Sequence, residues 1–351
     1  MTDGEAVTGE TVSDPTETRG STVGDLPGRR RLAVLAVGAV FWTWLLARWT
    51  YHNSVVDWLF TSLGVSDLIR SERGVRQREG WVPAGPFEAA ADAVDGVAGA
   101  LGSASVTFDW LVWLLDLAAF ATTTAPALAS GAFITVYLTV LSMLFGLVIA
   151  VPLAVARVYG GRTLRTLSLA YTELIRGTPL LAQLFFLYFG LPLASIAEDL
   201  GFTGQPPMPR AAAAVAVVGF TINSSAYQSE YIRSALQSVD SGQLTAARAV
   251  GLSKLAGIRH VVLPQGLRFA IPGWTNEFVY LIKYSSLAAF ITVPDLFRRA
   301  RTIGSDTFQF TDIYVIVALL YLALVLTTAL AMGRLEHRVA IPGLGSGATR
   351  G

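Results

Sequence analysis

The chain has 351 residues, 53% hydrophobic and 15% charged, with a formal net charge of +1 and a mean hydropathy of +0.52. A soluble domain carries about 25% charged residues, so the shortage places much of the chain in lipid, and near-neutrality leaves no global field to attract nucleic acid. There is no cysteine, which excludes disulfides, zinc–thiolate sites and thiol nucleophiles.

In chain order, residues 1–28 are polar, rich in Thr, Gly, Asp and Glu, and hold no apolar run; a disordered cytoplasmic tail is expected over 1–31. Arg29–Arg31 then precede an apolar stretch from Leu32 to Trp49. No small-residue cleavage site follows it, so a retained transmembrane helix over 32–51 is expected rather than a signal peptide. Residues 52–127 read as an extracytoplasmic insert with Gly/Ala-rich stretches. Within it Phe108–Ala121 is apolar but short, carries Asp109 and Asp116, and has tryptophans suited to a membrane interface. An interfacial helix is expected there.

Four further stretches have the length of about 20 residues that a bilayer requires: Gly131–Ala156, Thr172–Leu193, Ala211–Arg233 and Thr311–Gly333. A fifth, Arg268–Thr292, is less apolar and carries Asn276, Glu277 and Lys283. Residues 343–351 form a short tail. The expected fold class is therefore an all-α integral membrane protein.

Arginine counting sets the orientation. Arg29–Arg31 put the N-terminus inside. Arg157, Arg162 and Arg165 mark the inside end of the next span, and the acidic, proline-rich Glu198–Pro209 loop falls outside. The 234–267 loop, with Arg248, Lys254, Arg259 and His260, falls inside, as do Arg334 and Arg338 near the C-terminus. Two basic stretches run against the rule, 70–78 and Arg298, Arg299 and Arg301, both placed outside. Treating Phe108–Ala121 as a separate span would break the alternation.

The inside loop over 238–264 is the most informative segment. Asp240 or Ser241 can cap a short helix, Gly251 can end it in the left-handed conformation, and Ser253 can cap a second one before Pro264. The middle is Ala246, Ala247, Arg248 and Ala249, with side chains small enough to sink into another protein's groove. An ordinary amphipathic loop helix explains the same pattern. The chain's only lysines are Lys254 and Lys283, and neither lies in the Gly-Lys-Ser/Thr setting of a phosphate-binding loop, so any ATP hydrolysis belongs to a partner. His52, His260 and His337 are scattered without ligand spacing, so no metal site and no catalytic residue is expected.

This loop resembles the signature loop of the integral membrane subunits of ABC importers, which reads Glu-Ala-Ala, a glycine a few residues on, and later an aliphatic residue with a proline. Ala246, Ala247, Gly251, Leu263 and Pro264 match, while Thr245 stands where the family has Glu. Tyr171–Leu181, Gln183–Gly190, Gly242-Gln243, Leu263–Gln265, Asn276–Lys283, Val293–Leu296 and Tyr321–Arg338 narrow the likeness to the polar amino acid uptake permeases, over residues 128–342. The resemblance implies a five-helix core that dimerises, here with one extra N-terminal helix. Its spans would be those at 131–156, 172–193, 211–233, 268–292 and 311–333. It implies a coupling helix over Gly242, Thr245, Ala246, Ala247, Arg248 and Gly251, on which a cytoplasmic ATPase dimer docks. An extracytoplasmic solute-binding protein would deliver the amino acid, a second permease subunit would complete the path, and ATP-Mg would bind the ATPase, with no cofactor on this chain.

Charged groups inside a span cost about 2.5–3.5 kcal/mol each and usually face a cavity or a partner. Glu277 and Lys283 are six residues apart, about 240° around a helix, so they do not pair with each other. A second polar run, Asn223–Glu230, closes an otherwise apolar span. The expectation is that Asn223, Ser224, Tyr227, Gln228, Glu277, Lys283, Tyr284, Ser285 and Ser286 line one water-filled path. Structural roles, with Glu277 bonded locally and Lys283 snorkelling, remain open at this stage. Glu173 and Arg176, three apart, are expected to pair. In the resembled family an Asp commonly follows the lysine. Tyr284 in that place implies a preference for neutral or acidic amino acids. Other readings are an ABC permease for another small polar solute, or a secondary transporter or channel, whose internal repeat is not visible in this sequence.

Overall fold

The computed structural model describes residues 28–52, 54–64, 82–101, 106–204 and 209–339. The tails expected over most of 1–31 and over 343–351, and the basic stretch 70–78, lie outside the described residues. What is described is all-α; the only β pairing among these residues is an isolated bridge between Thr203 and Arg210. Among the described residues, three helical stretches are long and apolar enough to cross a membrane, Leu32–Thr50, Phe108–Tyr159 and Phe310–Glu336, and a bent helix pair can supply a fourth. The chain is a multi-pass membrane protein.

Helix α1 (Gly28–His52) is followed by α2 (Ser54–Ser62) and α3 (Gly85–Leu101). Then α4 runs without interruption from Val106 to Tyr159. Here the structure corrects the expectation of a separate interfacial helix: Phe108–Ala121 is the outer third of α4. Leu117 joins a buried cluster with Leu45 of α1 and with Ile313 of the last helix, so the apolar side of this stretch packs on protein rather than on headgroups. Trp113 Nε1 donates to Asp312 Oδ1 at 2.9 Å, fixing the same level. The hydroxyls of Thr122, Thr123 and Thr124 bond back to Ala119 and Phe120 carbonyls, and the helix continues through Pro126.

A second correction concerns Thr172–Leu193, which is not one helix. Helix α5 (Arg162–Arg176) ends at Gly177, and Thr178-Pro179 reset the chain before α6 (Leu180–Phe185), which continues as a π-turn over Phe186–Gly190. Helix α7 (Leu193–Asp199) then turns away by 60°. The cause is local: proline disfavours helical backbone in the residue before it and supplies no N–H of its own.

Helix α8 (Ala211–Ser238) is buried along most of its length against α4. The inside loop folds as α9 (Ser241–Ala249), α10 (Lys254–Gly257) and a π-turn over Ile258–Val262. It leads into α11 (Leu263–Tyr284), whose end tightens to a 3₁₀ turn over Ser285–Ile291. Helices α12 (Leu296–Thr307) and α13 (Phe310–Val339) complete the described chain. Three apolar clusters hold these pieces together. One joins α1, α4, α12 and α13, one joins α4, α6, α8 and the 3₁₀ turn, and one joins the inside ends of α4, α8 and α11. Outside the clusters α4 keeps Leu144, Phe145 and Val148 exposed, a surface suited to lipid or a partner helix.

Candidate functional site

Two features stand out from the apolar frame: a buried polar seam inside the helix bundle, and a capped surface helix at its inside end.

The seam starts on α8, where the Ala/Val-rich first half gives way to Asn223–Glu230. Ser224 and Gln228 lie one turn apart on one face, and Gln228 Nε2 donates to Ser224 Oγ at 2.9 Å and to the Met143 carbonyl of α4 at 3.2 Å. That approach needs Gly146, where a Cβ would stand 2.6 Å from Gln228 Nε2. Glu277 of α11 is 4% exposed and faces Ser224. Asn223 Nδ2 donates to Gln183 Oε1 at 3.2 Å. Gln183 Nε2 in turn donates to the Ile175 carbonyl at 2.7 Å and to Thr178. It thereby satisfies acceptors that the α5–α6 break exposes, which lipid cannot do. Tyr171 hydroxyl meets Ser225 Oγ at 2.6 Å and donates to the Ile222 carbonyl.

The structure thus brings Asn223, Ser224, Gln228 and Glu277 together, and leaves the other path residues elsewhere. Lys283 and Tyr284 are exposed on α11. Lys283 Nζ sits 4.6 Å from the centre of the Tyr280 ring, on which Tyr284 stacks. Ser285 is buried and donates to the Ile282 carbonyl, and Ser286 donates to that of Lys283, so both hydroxyls serve the backbone of the 3₁₀ turn. Tyr227 lies under the Arg176 guanidinium at 5.2 Å. Arg176 therefore does not pair with Glu173, which is exposed. Gln183, Met143 and Tyr171 are seam residues that sequence reasoning missed, while Ser225 belongs to the polar run Asn223–Glu230. Gly177-Thr178-Pro179 was the available signal, because a broken helix in a membrane must find polar partners nearby.

Below the seam, Glu230 accepts from Arg233 Nε at 2.8 Å and faces Arg157 Nη1 at 3.5 Å. Arg157 also donates to Thr172 Oγ1 at 2.9 Å, tying α4, α5 and α8 together.

At the inside end, α9 is capped at both ends. Asp240 Oδ1 accepts from Gly242 N at 2.6 Å. At the other end Leu252 N reaches the Ala247 carbonyl and Gly251 N that of Arg248, with Gly251 at φ +92°. This is a Schellman closure, which a residue with a Cβ closes only under strain. Ser253 Oγ caps the next turn through Ala256 N. Ala247 faces inward, where Gly257 of α10 lies against it. Gly242, Thr245, Ala246, Arg248 and Ala249 face out, beside Val250 at 80% and Leu255 at 72% exposure. Lys254 Nζ donates to the Tyr159 carbonyl at 2.8 Å, joining this surface to the foot of α4. A short, rigid helix with a small-residue outer face and bare apolar neighbours is built to sit in a concave protein surface.

A family model described as "Binding-protein-dependent transport system inner membrane component" matches residues 142–341. The chain is 37% identical over 215 residues to a probable amino-acid ABC transporter permease protein, YckA, of Bacillus subtilis, covering 61% of this chain and 90% of that one. It is likewise 37% identical to the glutamine transport system permease protein GlnP of Escherichia coli over 216 residues, 62% of this chain and 94% of that one. Among solved structures it is similar to a crystal structure of an amino acid ABC transporter with histidines, at 33% identity and a TM-score of 0.51, covering 61% of this chain and 94% of the other. The fold is shared at 21% identity and a TM-score of 0.52 with inward-facing forms of the MetNI methionine ABC transporter, covering 61% and 97%.

Proposed function

The chain belongs to the family of binding-protein-dependent transport system inner membrane components and is a permease subunit of an ABC importer, and we propose that it carries a small polar amino acid along the exposed face of α11, with the buried α8–α11 seam behind that face as the wall of the path. ATP is hydrolysed by a partner subunit. The observation that carries the reading is the pairing of that seam with α9, the two being linked through the inside ends of α4, α8 and α11.

In this reading α9 is the coupling helix. Thr245, Ala246, Arg248 and Gly251 meet the ATPase, with ATP-Mg held there, and Ala247 and Gly242 keep the helix in shape. The exposed stripe of Asn276, Tyr280, Lys283 and Tyr284 on α11 is too polar to face lipid, which supports placing it toward a second permease subunit. Between the two copies, Lys283 would meet the substrate carboxylate. Glu277 and Gln228 would set the polarity of the inner wall. An extracytoplasmic binding protein delivers the solute.

The test is uptake of a labelled amino acid panel by vesicles holding the chain with its ATPase and binding protein. Ala246→Trp puts a bulky ring on the outer face of α9 without touching the core. It is expected to lower ATP-driven uptake at least about tenfold, the result of losing more than about 1.4 kcal/mol of docking. Its melting temperature should not change. Wild-type uptake by this variant would remove α9 from the ATPase interface.

A further inference from the structure

We propose that α1 and α13 form a binding site for an anionic phospholipid of the inner leaflet, with an acyl chain between the helices and the phosphate at Arg334. The two helices cross closely at Gly38, where a Cβ would stand 3.1 Å from Thr327 Cγ2. Beside this crossing lies a cavity of about 320 Å³. Leu35, Gly38 and Trp42 line one side, and Thr327, Leu330 and Arg334 the other. The lining is apolar. Thr327 spends its hydroxyl on the Ala323 and Leu324 carbonyls, so it offers the cavity a methyl group. Water gains nothing in such a space, whereas a hydrocarbon chain fills it at no polar cost.

One charge stands at the rim. Arg334 Nη1 donates to the Leu330 carbonyl at 3.2 Å, which engages one of the five N–H donors of a guanidinium. The ion pairs among the described residues are Arg157–Glu230 and Arg233–Glu230, and Arg334 enters neither. Both helix ends face the cytoplasm by the arginine count, where the leaflet carries anionic lipid. An apolar slot topped by a cation matches an anionic lipid in charge and in polarity along its length. Helix α1 lies outside the residues 142–341 that the family model matches.

Trp42 lines the cavity and reports on it. The assembled importer is placed in vesicles of phosphatidylcholine doped with phosphatidylglycerol or phosphatidylcholine brominated in the acyl chains. Quenching lost in Trp42→Phe is assigned to Trp42. The expected result is that brominated phosphatidylglycerol quenches Trp42 at about fivefold lower mole fraction, the discrimination that one surface arginine supplies. Arg334→Gln should abolish the preference while leaving quenching by phosphatidylcholine. Ala39→Phe, which narrows the cavity, should weaken quenching by both. Equal quenching by the two lipids, or a preference that survives Arg334→Gln, overturns the proposal. Absence of quenching by either lipid also overturns it, and assigns the cavity to protein, from a second copy or from the chain before α1. ATP-driven uptake by each variant checks that the complex is intact.

Discussion

At the scale of single residues, the seam depends on contacts with almost no slack. Gly146 is the clearest case, because Gln228 occupies the place where a side chain would begin. Gly146→Leu is expected to destabilise the purified protein by about 1–3 kcal/mol, the usual cost of overpacking, read as a lowered melting temperature in detergent. Under the proposed function a different residue is expected to set specificity. Tyr284 stacks on Tyr280 beside Lys283, on the exposed side of α11. Tyr284→Asp adds a carboxylate next to that cation. The expected outcome is a gain in arginine uptake relative to glutamate, measured with labelled substrates in vesicles. A profile unchanged by the substitution would remove Tyr284 from the selectivity determinants.

At the scale of elements, helix ends decide much of the shape. Helix α12 closes on Phe308, a non-glycine residue at φ +62° that is 83% exposed. Left-handed backbone costs such a residue about 1–2 kcal/mol, so Phe308→Gly is expected to raise the melting temperature, offset in part by the larger entropy of glycine in the unfolded chain. The same physics made α9 readable in advance. Asp240, Gly251 and Ser253 are capping residues at fixed spacings, and each does in the structure what its chemistry favours. Long-range partners were not readable. Nothing local tells that Gln183 reaches Asn223, or that Leu117 meets Ile313, because those contacts join residues far apart in sequence. In α4 the Thr122–Thr124 hydroxyls bond within the helix, which continues across Pro126. Polar residues of α11 were located on the right helix, but which of its faces each one takes required the fold.

For the whole molecule, the family model covers residues 142–341, and α1, outside that range, packs on a core formed by α4, α12 and α13. Leu45 is fully buried against it, and Trp49 Nε1 donates to the Ala129 carbonyl at 2.7 Å. Deleting residues 1–105 is therefore expected to leave a chain that inserts and stimulates its ATPase, with a lower melting temperature than the full-length protein. Loss of all ATPase stimulation would make α1 part of the transport machinery. Helix α4 also carries a mechanical consequence. Its 54 residues follow a path of about 81 Å, more than twice the hydrocarbon thickness of a bilayer. The Tyr159 carbonyl at its foot is held by Lys254 of the α9–α10 loop, and Trp113 near its top is held to Asp312. As a straight rod, the helix tilted by about 5° about its foot would sweep its far end by about 7 Å. In the proposed assembly a small displacement passed from α9 to the foot through Lys254 would thus arrive magnified at residues 106–121, the pointer of that gauge.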